Sequence, residues 1–493
     1  MHIAGWATII AWLLSIPLSF GIAVVTPFNS RTQREISVLQ NALEGLHVED
    51  QMLLRDLRQY LAGRSPLASK WVTTGVFLAP LCIATAGLAL VWRATRRHAA
   101  QLTESHLHLL LRFAIGIGIS CTLMYPMFTQ DFWMSIAWGR MIVDGDNPYY
   151  NYFTTQALDG LPLFFEESYM TYGPLWGWIS ALIAAVSGRN ELVEFIAVKG
   201  LLWAGWAGCL FLICRIMRGC TVVEKARAVL LFGWMPLTYF LTIAEGHNDV
   251  IMVLPMLLWL YAVSIERHWI APFALAASVL VKYVTLPLVA VELWRGWMAM
   301  RGRRLAYAAA LAATAAAAAL CLLPLAHNLE FLSATREMQK WHMLTPAKAL
   351  LHVSNWLHLS ISGRVYSVIV LVVLCAMFMY YLVPALRRFD LDKLLTTILS
   401  GLLIVLLVVV GHVWPWFVLW VLAPAIIAPR SLAKDIAIAL ALAAPFVHVY
   451  WIWGHEWAEL KYATVAYYAT VSGMVLIIRW YRRHQLHLAL SRT

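Results

Sequence analysis

Residues 365–383 read VYSVIVLVVLCAMFMYYLV, an apolar stretch without one charged side chain. Wound as an α-helix at about 1.5 Å per residue, it would cover roughly the 30 Å of a bilayer's hydrocarbon. It lacks the alternating pattern of a barrel strand, so a helix is how its backbone groups can satisfy one another away from water. It forms most of an expected span over 363–383, and comparable runs recur near 3–28, 71–92, 107–128, 192–214, 226–243, 249–265, 303–325, 394–411, 416–428, 436–453 and 462–480. With 61% hydrophobic and 13% charged residues, the chain holds far more apolar surface than a water-soluble core could bury. The expected fold is all-α: a polytopic membrane helical bundle with about twelve full spans.

Basic clusters at Arg93/Arg96/Arg97, Arg215/Arg218/Lys225/Arg227, Arg295/Arg301/Arg303/Arg304, Arg387/Arg388/Lys393 and Arg479/Arg482/Arg483 should share the cytoplasmic side. That topology sets two conditions. The run 172–187 must lie along the interface instead of crossing. The run 269–294 must enter and leave on one side, as a hairpin of two short helices with Lys282 near its tip. The formal net charge of +11 is then an orientation signal and calls for no nucleic acid. The seven cysteines lie in spans or, for Cys220, in a cytoplasmic loop, so no disulfide framework is implied. No Lys or Arg precedes the first apolar run and no small-x-small site follows it, which reads as a retained helix.

Three regions follow: a transmembrane hairpin at 1–92, a catalytic module at 93–300 and a completing module at 301–493. Between the first two spans, residues 29–70 open with Thr32-Gln33-Arg34-Glu35, which resembles a capping box. The spacing beyond it predicts an amphipathic helix or helix pair, packed on the membrane domain or offered to a partner as a coiled coil.

Long external segments at 129–191 and 326–362 exceed what connection needs. The first opens with Thr129-Gln130-Asp131-Phe132-Trp133 and continues through Gly145-Asp146-Asn147-Pro148-Tyr149-Tyr150 to Thr171-Tyr172-Gly173-Pro174-Leu175-Trp176. A carboxylate at the outer end of a span can reach a lipid-borne substrate and an aqueous acceptor together, which suits Asp131 to a base; the bland role is an N-cap for the helix 132–143. Glu245-Gly246-His247-Asn248-Asp249 places three ionisable groups in one tight turn on the same face, or forms a polar turn that Asn248 caps. Lys282 lies inside an apolar run, where a lone charge costs enough to imply either a function or snorkelling to the interface. A lipid phosphate is its natural counter-charge. Gly411-His412-Val413-Trp414-Pro415-Trp416 breaks another run with aromatics that serve a sugar site or an interfacial belt.

Asp131 with its aromatics, Gly-Asp-Asn-Pro-Tyr, Tyr-Gly-Pro-Leu, Glu-Gly-His-Asn-Asp, Lys282 and Trp-Pro-Trp follow the order seen in polyprenyl-phosphate-mannose-dependent mannosyltransferases. The chain thus resembles the GT-C superfamily of glycosyltransferases over roughly 107–428, while the hairpin 1–92 departs from that minimal core. The resemblance implies a first external loop that carries the catalytic acid and two helices at the membrane surface, matching 132–143 and 172–187. It makes Asp131 the general base, Glu245, His247 and Asp249 a second acidic site, and Lys282 a contact of the carrier phosphate. Arg336 and His412 would add cationic groups near that phosphate, and Trp414, Trp416, Tyr149 and Tyr172 would face the sugar.

The implied partners are a polyprenyl-phosphate-linked sugar donor, a glycan, glycolipid or protein acceptor, and membrane lipid. The implied place is a bacterial inner membrane with the site facing outward. No cofactor is required, although a divalent metal between Asp131 and the 245–249 turn is an alternative use of the acids. Asp144-Gly145-Asp146 spells the Asp-x-Asp of nucleotide-sugar transferases, but no strand-turn-helix pattern accompanies it. The rival functions are a transporter or flippase of a lipid-linked glycan, a ligase that transfers a whole glycan, and a scaffold.

Overall fold

A computed structural model of the chain describes residues 1–25, 66–161, 168–326, 328–333, 335, 343–387, 390–449 and 460–490. The amphipathic helix expected over 29–70 lies outside the described residues as far as 65. Two compact units are present, Met1–Thr335 and Arg336–Thr493.

In the first unit, α1 (His2–Val25) packs on α2 (Pro66–Arg97) and α3 (Glu104–Thr122). Next come α4 (Asp131–Val143), α5 (Pro174–Ser187), α6 (Glu191–Ile216) and α7 (Val222–Gly233). They are followed by α8 (Asp249–Ser264), α9 (Ala271–Val281), α10 (Leu288–Ala299) and α11 (Arg304–Leu322).

Local chemistry sets these boundaries. Pro174 opens α5, where its missing N–H costs nothing, and Gly188 at φ +59° closes it in the left-handed region. Asn190 caps α6 by accepting from Val193 N (3.1 Å), and Thr221 with Glu224 forms a capping box on α7. Pro236 breaks the next span, so Val222–Gly233 and Pro236–Ala244 meet at a bend of 48°. Residues Phe240–Ala244 then form a π-helical turn that leads directly into Glu245.

Eight helices among the described residues are long and apolar enough to cross a membrane, nine if the bent pair is one span. The expected count of about twelve is therefore not supported. The expected segments are helical over most of their described residues, but Asp249–Ser264 and Pro415–Ile427 fall short. Asp249–Ser264 has 16 residues, about 24 Å against a hydrocarbon thickness of roughly 30 Å. Apolar run length marks what can leave water; it does not mark where a turn ends the helix.

The run 172–187 becomes the 14-residue α5, packed on α4. Gly139 makes that approach feasible, since a Cβ there would lie 2.4 Å from Ser180 O. The run 269–294 becomes α9 and α10, two short helices broken at Lys282 in extended backbone. Six tryptophans of this unit belong to its core: Trp133, Trp138, Trp176, Trp206, Trp234 and Trp259 are almost fully buried. Trp176, Trp234 and Trp259 donate their indole N–H to Ser135 Oγ, Leu110 O and Glu292 Oε2 at 3.0, 3.1 and 2.7 Å. Burying the ring while satisfying its one donor is what lets so large a side chain serve inside.

The second unit contains α12 (Pro346–Trp356), α13 (Gly363–Arg387), α14 (Leu391–Ile404), α15 (Leu419–Ile427), α16 (Leu432–Ala443) and α17 (Leu460–Leu490). Here α13 packs on α12 and α14, and α16 packs on α15 and α17. An Asp435–Arg482 ion pair joins α16 to α17.

Candidate active site

Asp131 is the first residue of α4, but its carboxylate does not cap that helix. Tyr172 OH donates to Oδ2 at 2.9 Å, and His247 Nδ1 lies 3.2 Å from the same oxygen. Oδ1 accepts no hydrogen bond among the described residues, and the side chain is 28% exposed. One oxygen is thus fastened and the other is open to a ligand. Burial pushes the carboxyl upward, but His247, Tyr172 and Lys282 outweigh it and hold Asp131 below the ordinary carboxylate range. Burial and the carboxylates of Asp131 and Asp249 push the Tyr172 hydroxyl well up, so it stays a donor.

Lys282 Nζ donates to Asp249 Oδ1 at 2.7 Å in a buried ion pair, and Nζ also sits 5.0 Å from the centroid of the Tyr172 ring. Tyr172 therefore links both carboxylate sites. Its own place is fixed on two sides. Tyr149 OH donates to Tyr172 O (2.6 Å), and Gly173 N donates to Val281 O (2.9 Å) at the tip of the α9–α10 hairpin. A Cβ on Gly173 would lie 2.1 Å from Leu280 O, so the Tyr-Gly-Pro motif needs its glycine for this contact. Tyr149 is buried and spends its hydroxyl on backbone, and Asn147 of the same motif donates to Leu325 O (2.8 Å).

The turn 245–249 has a division of labour that residue types alone did not reveal. Gly246 takes φ +84° with its Cα against the Phe132 ring. Glu245 is fully buried, and its oxygens accept from Met127 N (3.2 Å) and Phe128 N (2.8 Å). Burial raises its pKa, against the pull of those two amides and the charge of Lys199. Asn248 stands at the start of α8 but caps nothing with its side chain. Among the described residues no three His, Cys, Asp or Glu side chains converge as a metal site.

Asp131, Tyr172, Glu245, His247, Asp249 and Lys282 are thus brought together within the first unit. His412, Trp414 and Trp416 belong to the second unit. There His412 packs against Trp414 and Phe417, and Trp414 stacks on Trp416 with centroids 5.4 Å apart. Arg336 lies outside the described residues. Asp144 pairs with Arg189, which occupies one of the two acids in Asp144-Gly145-Asp146.

Two buried features escaped the sequence reading. Arg140 grips Glu194 through Nε (3.0 Å) and Nη2 (2.6 Å) and also donates to Asp159 O (2.6 Å), pinning α4 and the loop after it to α6. Lys199, inside α6, donates to Ile243 O at 2.8 Å and to Ala244 O. Its signal was available: a lone charge in Phe195-Ile196-Ala197-Val198-Lys199-Gly200-Leu201 is the same kind of mark that singled out Lys282.

An all-helical membrane bundle carrying such a site is matched by a family model described as alpha-(1->6)-mannopyranosyltransferase, N-terminal domain, over residues 53–301. The chain belongs to this family. The match begins ahead of α2, so that helix falls within the family domain. It is also similar to a protein of Mycolicibacterium smegmatis described as a "probable alpha-(1->6)-mannopyranosyltransferase", with 28% identity over 184 residues. That likeness covers 34% of this chain and 31% of the relative, about a third of each.

Proposed function

We propose that this chain transfers a mannosyl group from a polyprenyl-phosphate carrier to an acceptor hydroxyl on the external face by a single inverting displacement. The observation that supports this most is the unequal use of the Asp131 oxygens, Oδ2 held by Tyr172 and His247 and Oδ1 open. Oδ1 takes the proton of the acceptor hydroxyl as its oxygen attacks the anomeric carbon, while the carrier phosphate leaves from the opposite face. A carboxylate held below the usual range is always ionised near neutrality but accepts a proton weakly. It suits a loose, oxocarbenium-like transition state in which bond breaking runs ahead of proton loss.

His247 and Tyr172 orient the base. Lys282 stabilises the charge that grows on the leaving phosphate, with Asp249 as its counter-ion until the carrier binds. The 1→6 linkage in the family description makes the acceptor group a primary hydroxyl of a glycan. Inversion to an α product requires a β-linked carrier.

The test is membranes supplied with radiolabelled polyprenyl-phosphate mannose and a mannose oligosaccharide. Label should appear on the acceptor in α1→6 linkage with the wild type and not with Asp131→Asn. Label that crosses the membrane without joining the acceptor would instead support a transporter.

A further inference from the structure

We propose that Lys199 and Glu245 act as a buried positioning pair that fixes the spacing between Asp131 and His247, a role that rests on the transfer reaction proposed above. Neither side chain touches the open Oδ1 of Asp131, and each binds backbone next to a site residue. Lys199 holds the carbonyls of Ile243 and Ala244 at the end of the π-helical turn, where helix geometry leaves them without partners of their own. Two residues on, Glu245 reaches the other way and holds the amides of Met127 and Phe128, just ahead of Asp131.

Lys199 also contacts the Asp131 side, with Nζ 5.2 Å from the Phe132 ring centroid and 5.4 Å from that of Phe195. The Lys199 amine therefore faces both strands of chain that carry the site, 127–132 and 243–247. Phe77 of α2 is buried against both segments, edge-on to Phe128 at 5.1 Å and tilted on Phe240 at 5.4 Å.

The cost of this arrangement argues for a purpose. Lys199 is 1% exposed and stands about 12 Å along α6 from Glu191, inside an apolar span. A charge there is expensive unless it is paired and hydrogen-bonded, and burying two such groups is weak support for stability as such. What the pair does supply is a defined distance. The loop before Asp131 and the turn before His247 come from segments far apart in sequence, and only fixed backbone anchors hold their side chains at 3.2 Å.

The experiment compares the full-length wild type with Lys199→Met, Glu245→Gln and the double variant in reconstituted membranes. Lys199→Met should lower kcat by about ten- to a hundredfold, the scale of a misplaced catalytic group, while KM for carrier and acceptor stays within about twofold. Hydrogen exchange should quicken in peptides covering 124–130 and 240–249 and stay unchanged along α9 and α11. Glu245→Gln keeps the shape but offers one acceptor oxygen to two amides, so a smaller loss with the same pattern is expected. The double variant should lose less than the product of the single losses, because both residues act through one clamp.

Wild-type kcat in either single variant, a rise in KM that accounts for the loss, fully multiplicative losses, or exchange that quickens throughout the unit would overturn the proposal. If Lys199→Met does not accumulate, Glu245→Gln decides alone by the same criteria. Absence of transfer in the wild type would sink the proposed reaction, and the exchange pattern would still support or overturn the clamp.

Discussion

The hydroxyl of Tyr172 donates to Oδ2 of Asp131 at 2.9 Å while its ring faces Nζ of Lys282 at 5.0 Å. One side chain thus touches the proposed base and the proposed phosphate contact, by two different chemistries. Removing the hydroxyl alone separates them.

Tyr172→Phe should keep carrier affinity, because the ring remains beside Lys282, and should shift the acid limb of the kcat profile to higher pH. The sign follows from linkage. Asp131 is held below its ordinary value, so its ionisation stabilises the native state above about pH 4 and that contribution is lost as pH falls through the depressed native value. With one donor removed the native value rises, so activity begins to fail at a higher pH, while the Asp131 contribution to stability becomes smaller and is still lost only below about pH 4. An unchanged acid limb would show that Tyr172 does not act through Asp131.

Asp131→Asn keeps the size of the side chain and removes proton acceptance. Transfer should fall at least about a hundredfold with carrier binding largely retained. The competing role, a helix cap, predicts a modest loss of stability and normal turnover; a thermal melt alongside the transfer assay separates the two.

Lys282 and Asp249 make a buried pair, so removing one partner leaves the other uncompensated. Lys282→Met should destabilise by about 3–5 kcal/mol, and Lys282→Met with Asp249→Asn together should recover most of that. Affinity for the phosphorylated carrier should stay weak in both variants, while unphosphorylated polyprenol should bind as before. Recovery of carrier affinity in the double variant would mean that the lysine serves the fold and not the phosphate.

Much of this was legible in the sequence because the bilayer imposes so strong a rule: apolar run length located helical segments throughout. The rule gave out where polar turns shorten a helix, as at Asp249 and Trp414, and there the described helices do not support a count of about twelve full spans. Asp131, His247, Asp249 and Lys282 were visible as charges placed where charge is costly. What the sequence did not show was the pairing among them. Glu245 looked like a third acid of the site, yet its carboxylate is spent on the Met127 and Phe128 amides, a contact between segments more than a hundred residues apart. Tyr149 looked like a sugar contact, yet its hydroxyl holds Tyr172 O. Both facts depend on tertiary approach, which residue types and spacing do not encode.

Gly173 offers a test of how far that approach matters. Its Cα lies against the α9 backbone, where an added Cβ would come within 2.1 Å of Leu280 O and 3.1 Å of Val281 C, and its N–H is bonded to Val281 O. Backbone cannot give way as a side-chain tip can, so Gly173→Ala should push the Tyr172 segment away from the Lys282 hairpin. The expected stability loss is about 1–3 kcal/mol, in the range of overpacking changes. The larger effect should be on turnover, since Tyr172 would lose its reach to Asp131 and Lys282 together, and a displacement of about 1 Å can cost a hundredfold in rate. Gly139→Ala is the control: its Cβ would meet Ser180 O at 2.4 Å, a comparable clash, but between α4 and α5. If the two variants lose similar stability while Gly173→Ala alone loses most of its turnover, the contact between Gly173 and α9 positions the site. Equal turnover losses at equal stability would show that general packing of α4 against α5, and not the Tyr172 anchor, sets the rate.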